Sequence, residues 1–285
     1  MMLRVEKLSK RFGKTWALSE VSFAYEGARI AVLGPNGSGK TTLLTILAGL
    51  RYPTTGRALV NGIEPYVERE RAVRAISFMF EKPRFNLGIR IRDIVKILSE
   101  DRGCGDEAES LARLLGLTEF YDVKLAGLSS GQAQLVGIWA SLACWDGVVI
   151  IDEPFAHLDI RRAGVLANLI SRRSDIIFTT HTPEEAEALA DYIVILNNGR
   201  VVWAGTRDQL VARDVFEAYP LGDKQRSLGL LEEEECRVVA DLGLTVIVTG
   251  CKEEDLAGLV KRGVISGFRR AGVRYVYAGR KREEG

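Results

Sequence analysis

The chain has 285 residues, of which 47% are hydrophobic and 27% are charged. This composition is ordinary for one large globular domain, or for one domain with an appendage, and it excludes disordered and collagen-like chains. Lysine and arginine number 39 against 38 aspartate and glutamate, so the net charge of +1 provides no field that attracts nucleic acid or anionic lipid. We therefore expect no nucleic-acid partner, and contact with a membrane only through another protein.

The first part of the sequence predicts strands, a loop and a helix. Alternating apolar residues in 3–8 and 21–25 are typical of exposed antiparallel strands. Residues 29–33 are apolar enough for a buried strand. A glycine-rich turn follows it, and the apolar spacing of 41–48, closed by Gly49, predicts a helix.

The middle of the chain predicts a parallel sheet with an insertion. Residues 147–151 and 175–180 are short apolar runs, and the helical pattern of 161–173 separates them. Such alternation is typical of parallel strands covered by helices. Amphipathic helical patterns come before these runs, so we expect an inserted helical lobe at about 85–145.

The end of the sequence predicts a small α+β domain of unknown role. Pro220, Gly222 and the acidic run 232–235 indicate a domain boundary. Beyond it lie a strand-like run at 244–249, a helical pattern at 253–262, and strand-like pieces at 264–268 and 273–277. The expected domains are therefore 1–215 and 216–285.

The four cysteines are scattered along the chain and include no C-x-x-C pair; they are Cys104, Cys144, Cys236 and Cys251. This spacing indicates neither a disulfide framework nor a zinc site, and it favours a reducing cytoplasm. The first residues lack the apolar core of a signal peptide, and no stretch approaches the ~18 apolar residues that cross a bilayer. We expect a chain that is soluble by itself.

A phosphate-binding loop is the clearest motif. Residues 34–42 match G-x-x-x-x-G-K-[ST] and lie between the buried strand and the helix, as the motif requires. Glycines there let backbone amides approach phosphate oxygens, and Lys40 is expected to reach the β and γ phosphates. The hydroxyl of Thr41 is expected to bind Mg²⁺. The expected nucleotide contacts in this loop are Gly34, Pro35, Asn36, Gly37, Ser38, Gly39, Lys40, Thr41 and Thr42.

An acidic pair follows the second apolar strand. Asp152 and Glu153 come directly after residues 148–151, at the carboxyl end of a strand, where ligands bind in open α/β sheets. Asp152 is expected to hold Mg²⁺ directly or through water, and Glu153 to act as general base on the attacking water. A solvated acidic turn is the alternative, and the presence of the P-loop disfavours it.

The run Leu-Ser-Ser-Gly-Gln at 128–132 resembles the signature sequence of the ABC ATPase family. Gln132 precedes Asp152 by 20 positions, which is similar to the family spacing. The resemblance implies a P-loop NTPase fold of the α/β class, with a parallel-sheet core, an antiparallel β part and the helical lobe. It also implies ATP and Mg²⁺ as cofactors. The residues expected to contact the nucleotide of the opposite subunit are Leu128, Ser129, Ser130, Gly131 and Gln132.

Further positions resemble other family elements. Phe12 is similar to the aromatic residue that stacks on adenine, with a core aromatic as the competing interpretation. His181 resembles the histidine that contacts the γ-phosphate and orients water, with a purely structural histidine as the alternative. Asp159 resembles a loop residue that crosses the dimer interface. Glu81 falls where most members have a glutamine that touches Mg²⁺ or water, and Ser130 replaces a glycine, which is tolerable if its φ is below zero.

The resemblance covers residues 1 to about 215 and is similar to the ATPases of drug and polysaccharide-type export systems. It implies an ATP-hydrolysing subunit that powers a separate integral membrane permease, acts as a homodimer or paired cassette, and lies on the cytoplasmic face of the cell membrane through that permease. A non-transport ABC ATPase acting on ribosomes or DNA is the alternative. A GTPase switch is disfavoured because no N-K-x-D segment occurs, and a non-catalytic nucleotide sensor because Glu153 is present.

Overall fold

The computed structural model describes residues 1–211 and 214–273. The chain divides into two compact units, Met1–Ala204 and a second unit that starts at Gly205. This division precedes the boundary near residue 215 that the sequence suggested. The sheet of the second unit includes the strand Val215–Pro220, which the sequence did not predict.

The first unit contains two sheets. The strands Met2–Phe12 (β1), Thr15–Glu26 (β2) and Thr55–Val60 (β4) form an antiparallel sheet with the order β2-β1-β4. The strands Arg29–Leu33 (β3), Ile76–Met79 (β5), Val148–Ile151 (β6), Ile176–Thr180 (β7), Tyr192–Asn197 (β8) and Arg200–Thr206 (β9) form a six-stranded sheet with the order β5-β6-β7-β3-β8-β9. Pairing is parallel from β5 through β6, β7 and β3 to β8, as the sequence predicted.

The helices of the first unit flank this sheet or form the inserted lobe. In chain order they are Lys40–Leu47 (α1), Arg69–Ala75 (α2), Ile91–Asp101 (α3), Gly105–Leu114 (α4), Ser130–Leu142 (α5), Ile160–Arg172 (α6) and Pro183–Leu189 (α7). Every residue of β6 and β7 is buried, which explains their unbroken apolar sequences. Leu43, Leu44 and Leu47 of α1 are fully buried and join the same core as Ile30 and Val32 of β3. The loop between β3 and α1 is therefore anchored at both ends.

The helical lobe is inserted between two neighbouring strands, β5 and β6. It consists of α3, α4, α5 and the short 3-10 turns Leu117–Phe120 and Leu125–Gly127. Trp139 of α5 is fully buried, and its Nε1 donates to Ala108 O of α4 at 2.9 Å, which ties these two helices together. In residues 1–211 and 214–273 no helix is both long enough and apolar enough to cross a membrane.

The second unit has the α+β architecture that the sequence predicted. Its elements are Arg207–Val211 (α8), Val215–Pro220 (β10), Lys224–Glu233 (α9), Arg237–Asp241 (β11), Val246–Thr249 (β12), Glu253–Lys261 (α10) and Ile265–Arg270 (β13). The strands form an antiparallel sheet with the order β11-β12-β10-β13. One face packs Phe216 and Val248 against Leu231 of α9 and Leu256 of α10. The strand predicted at 273–277 lies almost wholly outside the described residues.

The cysteines contradict the prediction from their spacing. Cys104 pairs with Cys144 in the helical lobe, across 40 residues, and Cys236 pairs with Cys251 in the second unit, across 15 residues. The Cα atoms lie 6.2 Å and 4.8 Å apart, within the range that a disulfide spans. The prediction was wrong because folding, not sequence spacing, brings these residues together. The cysteines thus no longer favour a reducing compartment.

Removing the second disulfide is expected to destabilise its unit by about 3 kcal/mol, because a loop of this length gains that much chain entropy when it is opened in the unfolded state. The variant is Cys236→Ala with Cys251→Ala, and the measurement is chemical denaturation under non-reducing conditions. The pair Cys104→Ala and Cys144→Ala is the matched control, since it opens a loop in the other unit. Thiol titration of the denatured, unreduced parent should detect no free thiol, and four reactive thiols would contradict the pairing.

Candidate functional site

The P-loop has a backbone that only glycine can adopt at its key positions. Gly39 has φ +102°, and a Cβ added there would lie 2.5 Å from Ala17 O. A Cβ at Gly34 would lie 2.4 Å from Leu196 O. The loop therefore lies in close contact with β2 and β8, and it leads into the amino terminus of α1, where anions bind favourably.

Lys40 is held in the centre of the site. Its side chain is almost completely buried, and Nζ donates to Gly34 O at 2.7 Å and to Pro35 O at 3.3 Å. The same ammonium lies 3.2 Å from Glu153 Oε1. The lysine that the sequence assigned to phosphate binding thus sits between the P-loop and the acidic pair.

Asp152 joins the P-loop to strand β7. It is 1% exposed, and it accepts a hydrogen bond from Thr41 Oγ1 at 2.6 Å and another from Thr179 Oγ1 at 2.6 Å. Burial raises the pKa of Asp152 above its ordinary value, and the two hydroxyl bonds act against this shift. A cation at this carboxyl favours its ionised form.

Glu153 is fixed through both its backbone and its side chain. Its φ is +48°, and its N–H donates to Thr179 Oγ1 at 2.7 Å. Its Oε2 lies 2.9 Å from His181 Nδ1, while Oε1 faces Lys40. The structure therefore brings together the two residues that the sequence proposed as catalytic, with the carboxylate buried and the histidine exposed on its outer side.

One cleft is lined by most of the predicted P-loop residues together with Glu81 and Glu153. It is lined by Ala17, Asn36, Gly37, Ser38, Gly39, Lys40, Thr41, Thr42, Glu81 and Glu153. Among the described residues no group of three or more His, Cys, Asp or Glu side chains forms a protein-only metal site. The donors here are a hydroxyl and carboxylates, with Thr41 and Asp152 in contact. Such an oxygen set fits Mg²⁺, which keeps waters and phosphate oxygens as its other ligands.

The signature segment begins helix α5 and lies on a different groove. Ser129 is the N-cap: its Oγ accepts from Gln132 N at 3.3 Å, and its N–H donates to Gln132 Oε1 at 3.0 Å, a reciprocal capping box. Ser130 is the first helical residue and is absent from the residues with positive φ, so the replacement of glycine is tolerated. Leu128 and Ser130 line a groove that shares Glu81 with the P-loop cleft, but neither of them is in the lining of that cleft.

Two remaining residues occupy accessible positions. Phe12 is 42% exposed, with the cations of Lys10 and Arg51 5.3 Å and 5.2 Å from its ring, so the competing core interpretation is wrong. Asp159 is the N-cap of α6, where its Oδ1 accepts from Arg162 N at 2.9 Å. Next to it Ile160 is 93% exposed. Their contacts with adenine and with a partner subunit stay predictions.

Sequence reasoning missed two residues that contact the acidic pair. Thr179 bonds both Asp152 and Glu153, and the only signal was a hydroxyl near the end of an apolar strand just before His181. Gln134 is fully buried, and its Nε2 donates to Glu153 O at 3.2 Å and to Pro154 O at 3.3 Å. Its signal was a polar residue within an otherwise apolar helix.

The fold and the site define the class of P-loop nucleoside triphosphatases. A lysine and a threonine start the helix after β3, and an acidic pair ends β6, with β7 between these strands in the sheet. A family profile described as ABC transporter matches residues 18–156. With the relatives described next, this match shows that the chain belongs to the ABC transporter family of ATP-binding proteins, a family of ATPases.

The relatives extend this match beyond the profile. The sulfate/thiosulfate import ATP-binding protein CysA of Caulobacter vibrioides is 35% identical over 228 residues, which cover 74% of this chain and 66% of that protein. A probable protein of the same name from Chlorella vulgaris is 33% identical and matches 74% of this chain and 93% of its own length. A solved ATP-binding subunit of an ABC transporter superposes with a TM-score of 0.66 at 28% identity, covering 74% of this chain and 92% of the other.

These comparisons bear on the direction of transport and on the alternative function that the sequence left open. The two named relatives are import proteins, so the expected likeness to export-type ATPases was wrong in subtype. The match spans just under two thirds of the length of the Caulobacter protein. Neither relative is named for work on ribosomes or DNA, so the alternative drawn from the sequence gains no support.

Proposed function

We propose that this chain is the ATP-hydrolysing subunit of an ABC transporter and powers substrate movement through a separate membrane permease. The observation that carries the proposal is the contact network of Lys40, Glu153 and His181, joined to Thr41 and Asp152. A cation suited to phosphate, a carboxylate in contact with the hydroxyl of Thr41, and a candidate base are thus joined in one network, which supports the proposal. Such positioning and electrostatics supply most of the catalysis of phosphoryl transfer.

Each residue has a role in hydrolysis. The amides of the P-loop hold the phosphates, and Lys40 neutralises charge on the β and γ groups. Thr41, Asp152 and Glu81 are the residues that would hold Mg²⁺, which supplies charge stabilisation on the phosphate oxygens. Glu153 accepts the proton of the water whose oxygen attacks the γ-phosphorus, as the bond to the β–γ bridging oxygen breaks. His181 orients the Glu153 carboxylate and faces the γ-phosphate.

The signature segment completes the site of a second copy. Ser129 to Gln132 lie at the amino terminus of α5, which favours an anion, yet they do not line the P-loop cleft of their own chain. A head-to-tail dimer in which each signature faces the partner's nucleotide accounts for both facts. Bound ATP then favours the closed dimer, and loss of the γ-phosphate removes that preference.

Mixing two inactive variants tests the shared site. Gly131→Glu should place a carboxylate against the partner's γ-phosphate and so inactivate the partner's site. The variant is expected to fold, because its Cβ would meet only His157 O at 3.4 Å and an acidic residue is favourable at a helix start. Glu153→Gln inactivates the site on its own chain. In a random mixture half of the dimers are mixed, and each of these has one intact site, so about a quarter of the parent rate should return. A mixture that stays inactive would argue against the dimer. Gly131→Gln is the control for side-chain size, because it has the size of glutamate without the charge.

The permease is expected to contact residues 82–86 and the helical lobe along one groove, whose Glu81, Leu128 and Ser130 are the residues assigned above to the nucleotide sites. This groove is lined by Glu81, Lys82, Pro83, Arg84, Phe85, Asn86, Leu125, Ala126, Leu128, Ser130, Ala133 and His157. Such a contact places the chain at the cytoplasmic face of the membrane, and the names of its relatives support an import system. Co-purification with a multi-spanning membrane protein is the expected result. Recovery only with ribosomes or DNA would contradict the transport role.

A further inference from the structure

Helix α5 carries one buried polar side chain that points away from its own backbone. Residues 133–139 of this helix are all buried, and Gln134 is fully enclosed. Burial of an amide group costs free energy unless that group forms hydrogen bonds. The hydrogen-bond partners of the Gln134 amide nitrogen therefore show which segment this side chain stabilises.

The partners of this amide are two successive carbonyls of the catalytic loop. Gln134 Nε2 donates to Glu153 O at 3.2 Å and to Pro154 O at 3.3 Å. Gln134 Oε1 is buried and has no hydrogen-bond partner in the part of the chain that the structure describes. Hydrogen bonding by this side chain is thus directed entirely to the loop after β6.

Glu153 needs such support because of its backbone. A φ of +48° lies in the left-handed region, which is unfavourable for a side chain larger than glycine and persists only where the surroundings enforce it. Thr179 Oγ1 accepts the N–H of Glu153 at 2.7 Å, and Gln134 binds its carbonyl. The residue is held from strand β7 on one side and from helix α5 on the other.

We propose that Gln134 is a positioning residue for ATP hydrolysis, which fixes the backbone of Glu153 so that its carboxylate stays between Lys40 and His181. The inference rests on the proposed role of Glu153 as base. The start of the helix also lies near this loop, because a Cβ added at Gly131 would lie 3.4 Å from His157 O. Helix α5 therefore connects the signature segment, which serves the partner's nucleotide, to the base that serves its own.

The test compares Gln134→Met with the parent in steady-state ATP hydrolysis with Mg²⁺. Methionine keeps the length and volume of the side chain and removes both hydrogen bonds. A carboxylate displaced by about 1 Å reduces kcat by roughly 10- to 100-fold. KM and the Kd for ATP should stay within about 2-fold of the parent, because Lys40 and the P-loop are untouched. Ser141→Ala is the matched control: it removes a buried hydroxyl that bonds only Ile138 O within α5.

A double-variant cycle separates positioning from a structural role. In the Glu153→Gln background, Gln134→Met should leave the residual rate unchanged, because the base is already absent. The inference would be overturned if Gln134→Met lowered both the rate and the ATP affinity in the parent and in the Glu153→Gln background. It would also be overturned if the single variant Gln134→Met kept the kcat of the parent. If the methionine variant does not fold, Gln134→Asn, whose amide is too short to reach, should show the same loss of kcat. Parental activity of Glu153→Gln itself would instead refute the proposed base and not the contact made by Gln134.

Discussion

Glu153→Gln is expected to lower kcat for ATP hydrolysis by roughly 10²- to 10⁴-fold, the range for loss of a general base. The amide has the size of the carboxylate but cannot take the proton of the attacking water. Lys40, Thr41 and Asp152 are unchanged, so ATP and Mg²⁺ should bind as in the parent. Phosphate release and a nucleotide titration on the same preparation measure the two quantities separately.

The same variant should hold ATP and accumulate as a closed dimer. Hydrolysis is the step that separates the two copies in the proposed cycle, so its loss leaves the nucleotide-bound dimer as the stable state. Size-exclusion chromatography with ATP and Mg²⁺ should show the dimer in the variant and less of it in the parent.

A neighbouring carboxyl provides the control. Glu185 accepts a hydrogen bond from Thr180 Oγ1, and burial raises the pKa of its carboxyl. Glutamine keeps the size of this side chain and removes an ionisable group close to the site. Glu185→Gln should hydrolyse ATP at nearly the parent rate. Parent-like hydrolysis by Glu153→Gln would show that another group takes the proton.

Lys40→Ala is expected to abolish ATP binding at concentrations that saturate the parent. The ammonium is buried between the P-loop carbonyls and Glu153, so its removal takes away the cation for the phosphates and leaves the carboxylate uncompensated. Loss of one partner in such a buried pair costs about 3 kcal/mol or more, which is on the order of 100-fold in Kd. Equilibrium titration with a fluorescent ATP analogue measures this change.

Lys96→Ala is the control for a general effect of lost charge. Lys96 lies on α3, is well exposed, and pairs only loosely with Glu100 at 3.9 Å. Its replacement should leave nucleotide affinity unchanged. Binding by Lys40→Ala within a few-fold of the parent would mean that the P-loop amides alone hold the phosphates.

Most of the nucleotide site could be predicted because its parts are short, contiguous segments. Residues 34–42 and the pair Asp152 and Glu153 are each adjacent to a strand whose apolar run is unambiguous. Local chemistry, glycines beside a helix start and carboxylates at a strand end, identifies their ligand without knowledge of the rest of the fold.

The second unit was predicted less completely. The largely polar sequence of helix α9 indicates a domain boundary more than a helix. The helix is stable because Leu231 packs onto the sheet of the second unit. Strand β10 lay in a region of weak pattern, although Glu217 within it is buried and bonds Thr245 and Arg269. Burial of a paired charge cannot be recognised from a hydrophobic pattern.

The sequence by itself determined the P-loop and the acidic pair, since each depends on residues that are neighbours along the chain, and its alternating apolar and helical runs indicated a parallel sheet. Only the tertiary structure decided which distant groups touch: Thr41 with Asp152 across 111 residues, Glu153 with His181 across 28, Gln134 with Glu153 across 19, and the two cysteine pairs. The contacts of the nucleotide site arise because parallel pairing brings the carboxyl ends of β3, β6 and β7 to one edge of the sheet, while α5 packs beside β5 and β6. The cysteine pairs form separately, one within the helical lobe and one within the second unit. That arrangement depends on long-range burial, which no local spacing encodes.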